Sequence, residues 1–221
     1  MKLVVISNPE PIKNETEIIS SFFDSGMERF HLRKPGYSEA EVDLFLKQLP
    51  EHLHSKIVLH SHHKLLEKYD LAGIHFTKKH FQWSASRMKT FSNLLRPKGN
   101  KSISASFHSL SELIENADTY NYLFLSPVFD SISKENYKAG FDLQELKLFL
   151  DNYKKDENNS EKSEIFALGG VKSENLNSAH DAGFDGVAIF GTLWIQKEYS
   201  DIIRTFEKLN ESCLNYINKE K

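Results

Sequence analysis

Cysteine is nearly absent: the 221 residues include one, Cys213. No intramolecular disulfide is possible, which excludes the cysteine-stapled secreted scaffolds and suits a reducing compartment. Ile202, Ile203, Phe206 and Leu209 precede Cys213 at helical spacing. The thiol therefore reads as packing rather than as a nucleophile, which would need a polarising neighbourhood. Long apolar runs are missing too. The first, Leu3-Val4-Val5-Ile6, is too short for a signal-peptide core or a membrane span and reads as a buried strand. A cytoplasmic protein without a membrane partner is expected. An excess of one charge sign is also lacking: Lys and Arg number 28 against 31 Asp and Glu, a formal net charge of −3. That balance gives no footprint for general nucleic-acid binding.

What is present fits an ordinary globular chain, with 39% hydrophobic and 27% charged residues. The length suits one domain over residues 1–221. Eight short apolar runs occupy residues 3–7, 29–32, 56–59, 73–76, 103–107, 122–125, 165–168 and 186–190. Several are apolar on consecutive positions, as parallel strands covered on both faces require. Helical patterns lie between most of them. Residues 15–23 precede a break at Gly26, and Ser38-Glu-Ala-Glu41 reads as a capping box opening a helix through Leu49, stopped at Pro50. Ser109-Leu-Ser-Glu112 repeats the signal, and residues 173–182 end at Gly183. Residues 77–100 and the polar run 151–163 read as irregular. Strand–helix alternation argues for βαβ units, and eight strands in this length favour a closed (β/α)8 TIM barrel.

A barrel gives function an address, because its chemistry sits at the C-terminal strand ends. After the second strand stand His31, Arg33 and Lys34, a basic pair suited to an anion. After the third come His60-Ser61-His62-His63, where His60 and His62 would share a strand face; with His75 and His80 they suggest a conceivable metal site, but no recognised ligand spacing supports it. The fifth strand carries Ser104 and Ser106. The sixth leads into Ser126-Pro127-Val128-Phe129-Asp130, then Ser131, Ser133 and Lys134, hydroxyls and a point charge suited to a phosphate. The seventh and eighth end in Gly169-Gly170 and Gly191-Thr192. Glycines let backbone approach a ligand, and phosphates recur after these two barrel strands.

Residues 30–33, Ala72-Gly73-Ile74-His75, 104–112, 122–134, 165–171 and 183–192 make the chain resemble the thiamin phosphate synthase/TenI family. The resemblance implies a thiamin-pathway protein that binds a small phosphorylated substrate and is permitted to be a homodimer. It implies either transfer of a hydroxymethylpyrimidine from its diphosphate to thiazole phosphate, or tautomerisation of a thiazole carboxylate phosphate. On that resemblance Arg33, Ser131, Ser133 and Lys134 match diphosphate or phosphate contacts, Gly170 and Gly191 a phosphate cradle, and Ser106 a pocket hydroxyl. Mg²⁺ is the implied cofactor of the transferase, yet His60-Ser61 stands where that pattern has Asn-Asp. Lys79 or His80 stands where it has a second Asp. Pro127 stands where the tautomerase pattern has its His, so His31, His60, His62 and His108 are the substitute bases to consider, His60 first. The alternatives are a non-catalytic binder of a thiamin-pathway phosphate or another phosphate-binding barrel isomerase.

Overall fold

The computed structural model describes residues 1–77, 80, 101–117, 119–130, 139–155 and 162–219. Eight parallel strands close on one another in chain order. They are β1 (Lys2–Ile6), β2 (Arg29–Leu32), β3 (Ile57–Leu59), β4 (Gly73–Phe76), β5 (Ser102–Phe107), β6 (Tyr122–Leu125), β7 (Glu164–Leu168) and β8 (Gly186–Ile189). Closure runs through β1 and β8, where Val4 is in register with Ala188 and Val5 with Ile189. The expected (β/α)8 barrel is the fold, and every strand lies within a residue of its expected place.

Seven α-helices are found among the described residues: α1 (Glu15–Asp24), α2 (Glu39–Gln48), α3 (Leu110–Asn116), α4 (Leu143–Lys155), α5 (Leu176–Asp181), α6 (Gly191–Trp194) and α7 (Tyr199–Lys219). Ser38 caps α2 as the sequence suggests: its hydroxyl accepts from Glu41 N, and the Glu41 carboxylate accepts from Ser38 N. Ser109 accepts from Glu112 N at the start of α3. The run 151–163 corrects one expectation. Its first five residues finish α4, because Leu146 and Leu150 face the core and Lys154 and Lys155 sit favourably at the negative end of the helix. Residues 156–161, and most of 77–100, lie outside the described residues.

Alternation along each strand divides the apolar residues in two. Leu3, Val5, Phe30, Ile74, Leu123, Ile165 and Val187 face outward into the layer beneath the helices. There α1 meets α7, with Phe22 and Phe206 stacked at 4.4 Å. Cys213 is buried in this layer, and burial pushes its thiol up to about 12, so it packs rather than reacts. Trp194 also serves packing: its indole donates to Ile6 O at 2.7 Å. Inward-facing residues form a second cluster of Val4, Ile6, Tyr122, Phe124, Phe166 and Ala188.

That inner cluster covers only one side of the barrel. On β2 to β5 the residues that interrupt the outward apolar positions are His31, His75, Ser104 and Ser106. His31, His75 and Ser104 have no solvent exposure. Barrel interiors are ordinarily filled by branched aliphatic side chains. Burying polar groups costs free energy unless they are hydrogen-bonded, so this side of the barrel needs a polar network, and it has one.

Candidate functional site

The network starts at the end of β2. His31 lies between outward-facing Phe30 and Leu32, which turns its ring into the barrel. Its Nε2 meets Tyr122 Oη of β6 at 2.8 Å and its Nδ1 meets His60 Nε2, just past β3, at 2.9 Å. His75 of β4 is held at both ring nitrogens by β5, with Ser104 Oγ at 2.8 Å from Nδ1 and Ser106 Oγ at 2.7 Å from Nε2. The His60 and His75 rings stack with centroids 4.2 Å apart, and Phe124 stacks on His75 at 4.9 Å. Three strands thus bring three imidazoles together, with one ligand-capable nitrogen from each lying within 4.8 Å of the others.

These rings are neutral. Burial, then the neighbouring His75 and Arg29, holds His31 well below the ordinary imidazole range. Burial, then His75, His31 and Arg33, does the same to His60. His75 is lowered to about 3 by burial, with His63, His80 and Arg33 adding to the effect. His60 Nδ1 is buried and has no hydrogen-bond partner. The other nitrogens of the cluster are engaged.

Around this floor the strand ends form the mouth. Arg33 is half-buried just past β2, its backbone N donating to Ser7 Oγ at 2.7 Å and its carbonyl accepting from the same hydroxyl at 3.0 Å. Its charge lowers both His60 and His75, so the guanidinium lies near the cluster. Burial alone lowers Arg33, and no carboxylate among the described residues offsets it. On the far side Gly169 and Gly170 adopt φ of 93° and 65°. A Cβ on Gly170 would lie 2.1 Å from Asp130 O, so the loop after β7 packs backbone to backbone on the loop after β6. The Thr192 hydroxyl donates to Val171 O and joins the two glycine-bearing strand ends.

The basic pair divides, and this corrects the expectation for Lys34. Its Nζ lies 2.6 Å from Glu15 Oε2 and 3.0 Å from Glu10 O, with the side chain wholly buried. It anchors α1 to the end of β2 and does not face an anion. The shared strand face considered for His60 and His62 does not form. The backbone at His62 turns to φ 52°, and its Nε2 donates to Tyr37 O at 2.8 Å. His108 is likewise committed, Nδ1 donating to Ser126 O at 2.7 Å. His80 accepts from Thr77 N at 2.9 Å. Ser131, Ser133, Lys134 and Lys79 lie outside the described residues. Ser104, named with Ser106 as a strand-end hydroxyl, holds His75. Tyr122 was not singled out by sequence; its signal is an amphipathic residue at an inward parity position of an apolar strand.

The molecule has counterparts. A profile of the family described as "Thiamine monophosphate synthase" matches residues 3–193. A thiamine-phosphate synthase of Lysinibacillus sphaericus (strain C3-41) is 24% identical over 212 residues, covering 93% of this chain and 91% of that one. Among solved structures, thiamine phosphate pyrophosphorylase from Bacteroides thetaiotaomicron superposes with a TM-score of 0.74 at 28% identity, covering 96% of this chain and 98% of that one. Its namesake from Pyrococcus furiosus gives 0.70 at 19% identity, with 96% and 94% covered, and supports the fold alone. The profile match runs from β1 into α6, taking in every strand end that builds the mouth. This chain therefore belongs to the thiamine monophosphate synthase family.

Proposed function

We propose that the chain binds thiazole phosphate at the barrel mouth and joins it to the activated pyrimidine, the reaction for which its curated relatives are named. The observation that carries this reading is Arg33, a half-buried guanidinium close enough to lower His60 and His75 and without a carboxylate partner among the described residues. Such a cation draws a phosphate or diphosphate and offsets charge that develops on a departing diphosphate. The joined glycine ends, Gly169-Gly170 and Gly191-Thr192, supply backbone N–H groups for a second anionic group. Ser131, Ser133 and Lys134 would extend the grip from the loop after β6, and Ser106, beside His75, would line the pyrimidine side.

The Mg²⁺ implied by the family does not fit the donors at the ends of β3 and β4. Those ends offer imidazoles, and Mg²⁺ demands oxygen ligands in near-octahedral geometry. Among the described carboxylates, Glu15 is held by Lys34, and Asp130 Oδ1 accepts from Ala139 N at 2.7 Å. The cationic side chains of the mouth carry the anion instead.

A second reading, tautomerisation of the thiazole carboxylate phosphate, is favoured by one observation. His60 Nδ1 is the unpartnered nitrogen of a neutral cluster at a strand end, and proton transfer needs a base with a free lone pair.

Paired assays separate the readings. One holds hydroxymethylpyrimidine diphosphate and thiazole phosphate, with and without Mg²⁺ and chelator. The other holds the non-aromatic thiazole carboxylate tautomer, read out by a coupled synthase. Thiamin phosphate formed in the first, insensitive to chelator, is the expected result. Conversion only in the second would replace transfer by tautomerisation. Silence in both with thiazole phosphate still bound would reduce the chain to a binder.

A further inference from the structure

We propose that His31, His60 and His75 form a binding site for a first-row divalent transition metal of the zinc class, at the C-terminal end of the barrel interior. The proposal does not rest on the transferase reading. It begins from placement: three buried imidazoles, on β2, just past β3 and on β4, converge with no carboxylate among the described residues joining them. His31 Nδ1 and His60 Nε2 face each other at 2.9 Å, and the set lies within 4.8 Å. Zinc–nitrogen bonds of about 2.0–2.1 Å put tetrahedral ligand atoms about 3.4 Å apart, so the set must contract by roughly 1.4 Å at its widest and open slightly at the 2.9 Å pair.

The cluster already brings ligand atoms face to face: His31 Nδ1 and His60 Nε2 share one proton. A metal that takes these two nitrogens and one nitrogen of His75 replaces that contact. It also leaves oriented outer partners in place: Tyr122 Oη on His31 and a serine hydroxyl of β5 on His75. Ligating histidines ordinarily hold such a partner on the second nitrogen, which fixes tautomer and ring orientation.

The donor chemistry selects the ion. Imidazole suits Zn²⁺, Cu²⁺, Ni²⁺ and Fe²⁺, whereas Mg²⁺ and Ca²⁺ want oxygen. Three histidines with a remaining open position match a catalytic rather than a closed structural zinc site. The Arg33 charge is felt at His60 and His75 and opposes a lone cation, so a bound anion at the mouth would offset both charges. Ligation of His60 would withdraw it from service as a base, which sets this site against the tautomerase reading.

The test uses the full chain stripped with chelator, reloaded with Zn²⁺ or Co²⁺ and freed of loose ion by gel filtration. The expected result is one ion per chain and a cobalt visible spectrum of tetrahedral intensity. His60→Gln and His75→Gln should each weaken binding by more than about 100-fold, beyond the roughly 10–100-fold typical of losing an outer partner, the loss expected for Tyr122→Phe. His52→Ala, exposed on the turn before β3, should bind as the parent does. Folding of each variant is checked by its thermal transition. If His75→Gln does not fold, His60→Gln, nearer the mouth, decides. No retained ion, equal retention by the folded His60 variant, or a six-coordinate cobalt spectrum would overturn the site. None of these results touches the transferase assay, which stands or falls separately.

Discussion

Lys34 Nζ and Glu15 Oε2 stand 2.6 Å apart between the end of β2 and the start of α1, the lysine side chain fully buried and the glutamate nearly so. Burial pushes Lys34 down and Glu15 up, while each partner pulls the other back toward its charged form. Removing one member leaves a buried charge uncompensated. Lys34→Met should lower stability by about 3–5 kcal/mol. Lys34→Met with Glu15→Leu should recover most of that loss, as buried pairs replaced together by apolar groups often do. Urea unfolding of the two single variants and the double closes the cycle; additive losses would mean that the pair does not act as a unit.

Acid should destabilise the metal-free protein early. His31, His60 and His75 have native values below the roughly 6.5 of an unfolded imidazole, with His75 at about 3. Between those limits the unfolded chain binds more protons than the native one, so stability falls as pH falls through that window. Each such histidine contributes a slope of about 1.4 kcal/mol per pH unit. The urea midpoint in chelator should drop steadily from pH 6.5 to pH 4, and His75→Gln should flatten the profile. A level midpoint across that range would show that the rings take up protons without unfolding.

Arg33→Ala should weaken binding of thiazole phosphate by roughly 10- to 100-fold, since a charge-assisted contact is worth about 1.5–3 kcal/mol. Arg33→Lys should restore only part of it, a point charge replacing a planar fork. Calorimetric titration reads both, and an unaltered dissociation constant for the alanine variant would remove Arg33 from the site.

Gly170→Ala places a Cβ 2.1 Å from Asp130 O at a residue with φ 65°. Backbone must shift to admit it, at a cost of about 1–3 kcal/mol. The loops after β6 and β7 should part, lowering the thermal midpoint and phosphate affinity together. Affinity preserved at reduced stability would confine Gly170 to packing.

Ser38→Ala deletes one half of a reciprocal cap and should cost about 1 kcal/mol in urea unfolding. Loss of both halves, by adding Glu41→Ala, should exceed the single loss. No change in either would mean that α2 is held by tertiary packing alone.

The barrel was readable because its elements are short and locally marked. Phe30 and Leu32, or Ile74 and Phe76, announce strands buried on the outer face, and Ser38 and Ser109 announce helix starts. The site was less readable for reasons that are geometric. His60 and His62 share parity only while the chain stays extended, and the turn at φ 52° ends that. The true neighbours of His60 are 29 residues back in His31 and on β4 in His75, a relation that depends on barrel register. Lys34 looked like a partner of Arg33 because adjacent residues at a strand end were both assumed to face the ligand. Parity instead sends Arg33 inward and Lys34 out under α1. The signal these residues share is a polar or amphipathic side chain at an inward position of β2, β4 and β6: His31 and His75, both visible at the strand ends, and Tyr122, which was not.

The lopsided interior has an evolutionary consequence. The apolar filling of the barrel interior is supplied by Tyr122, Phe124, Phe166, Ala188, Val4 and Ile6, on strands other than β3, β4 and β5. Reactivity can therefore drift on one side while the other holds the shape. In such a molecule, exchanging a carboxylate for an imidazole on the polar side alters the chemistry the protein can host without asking the fold to be reinvented.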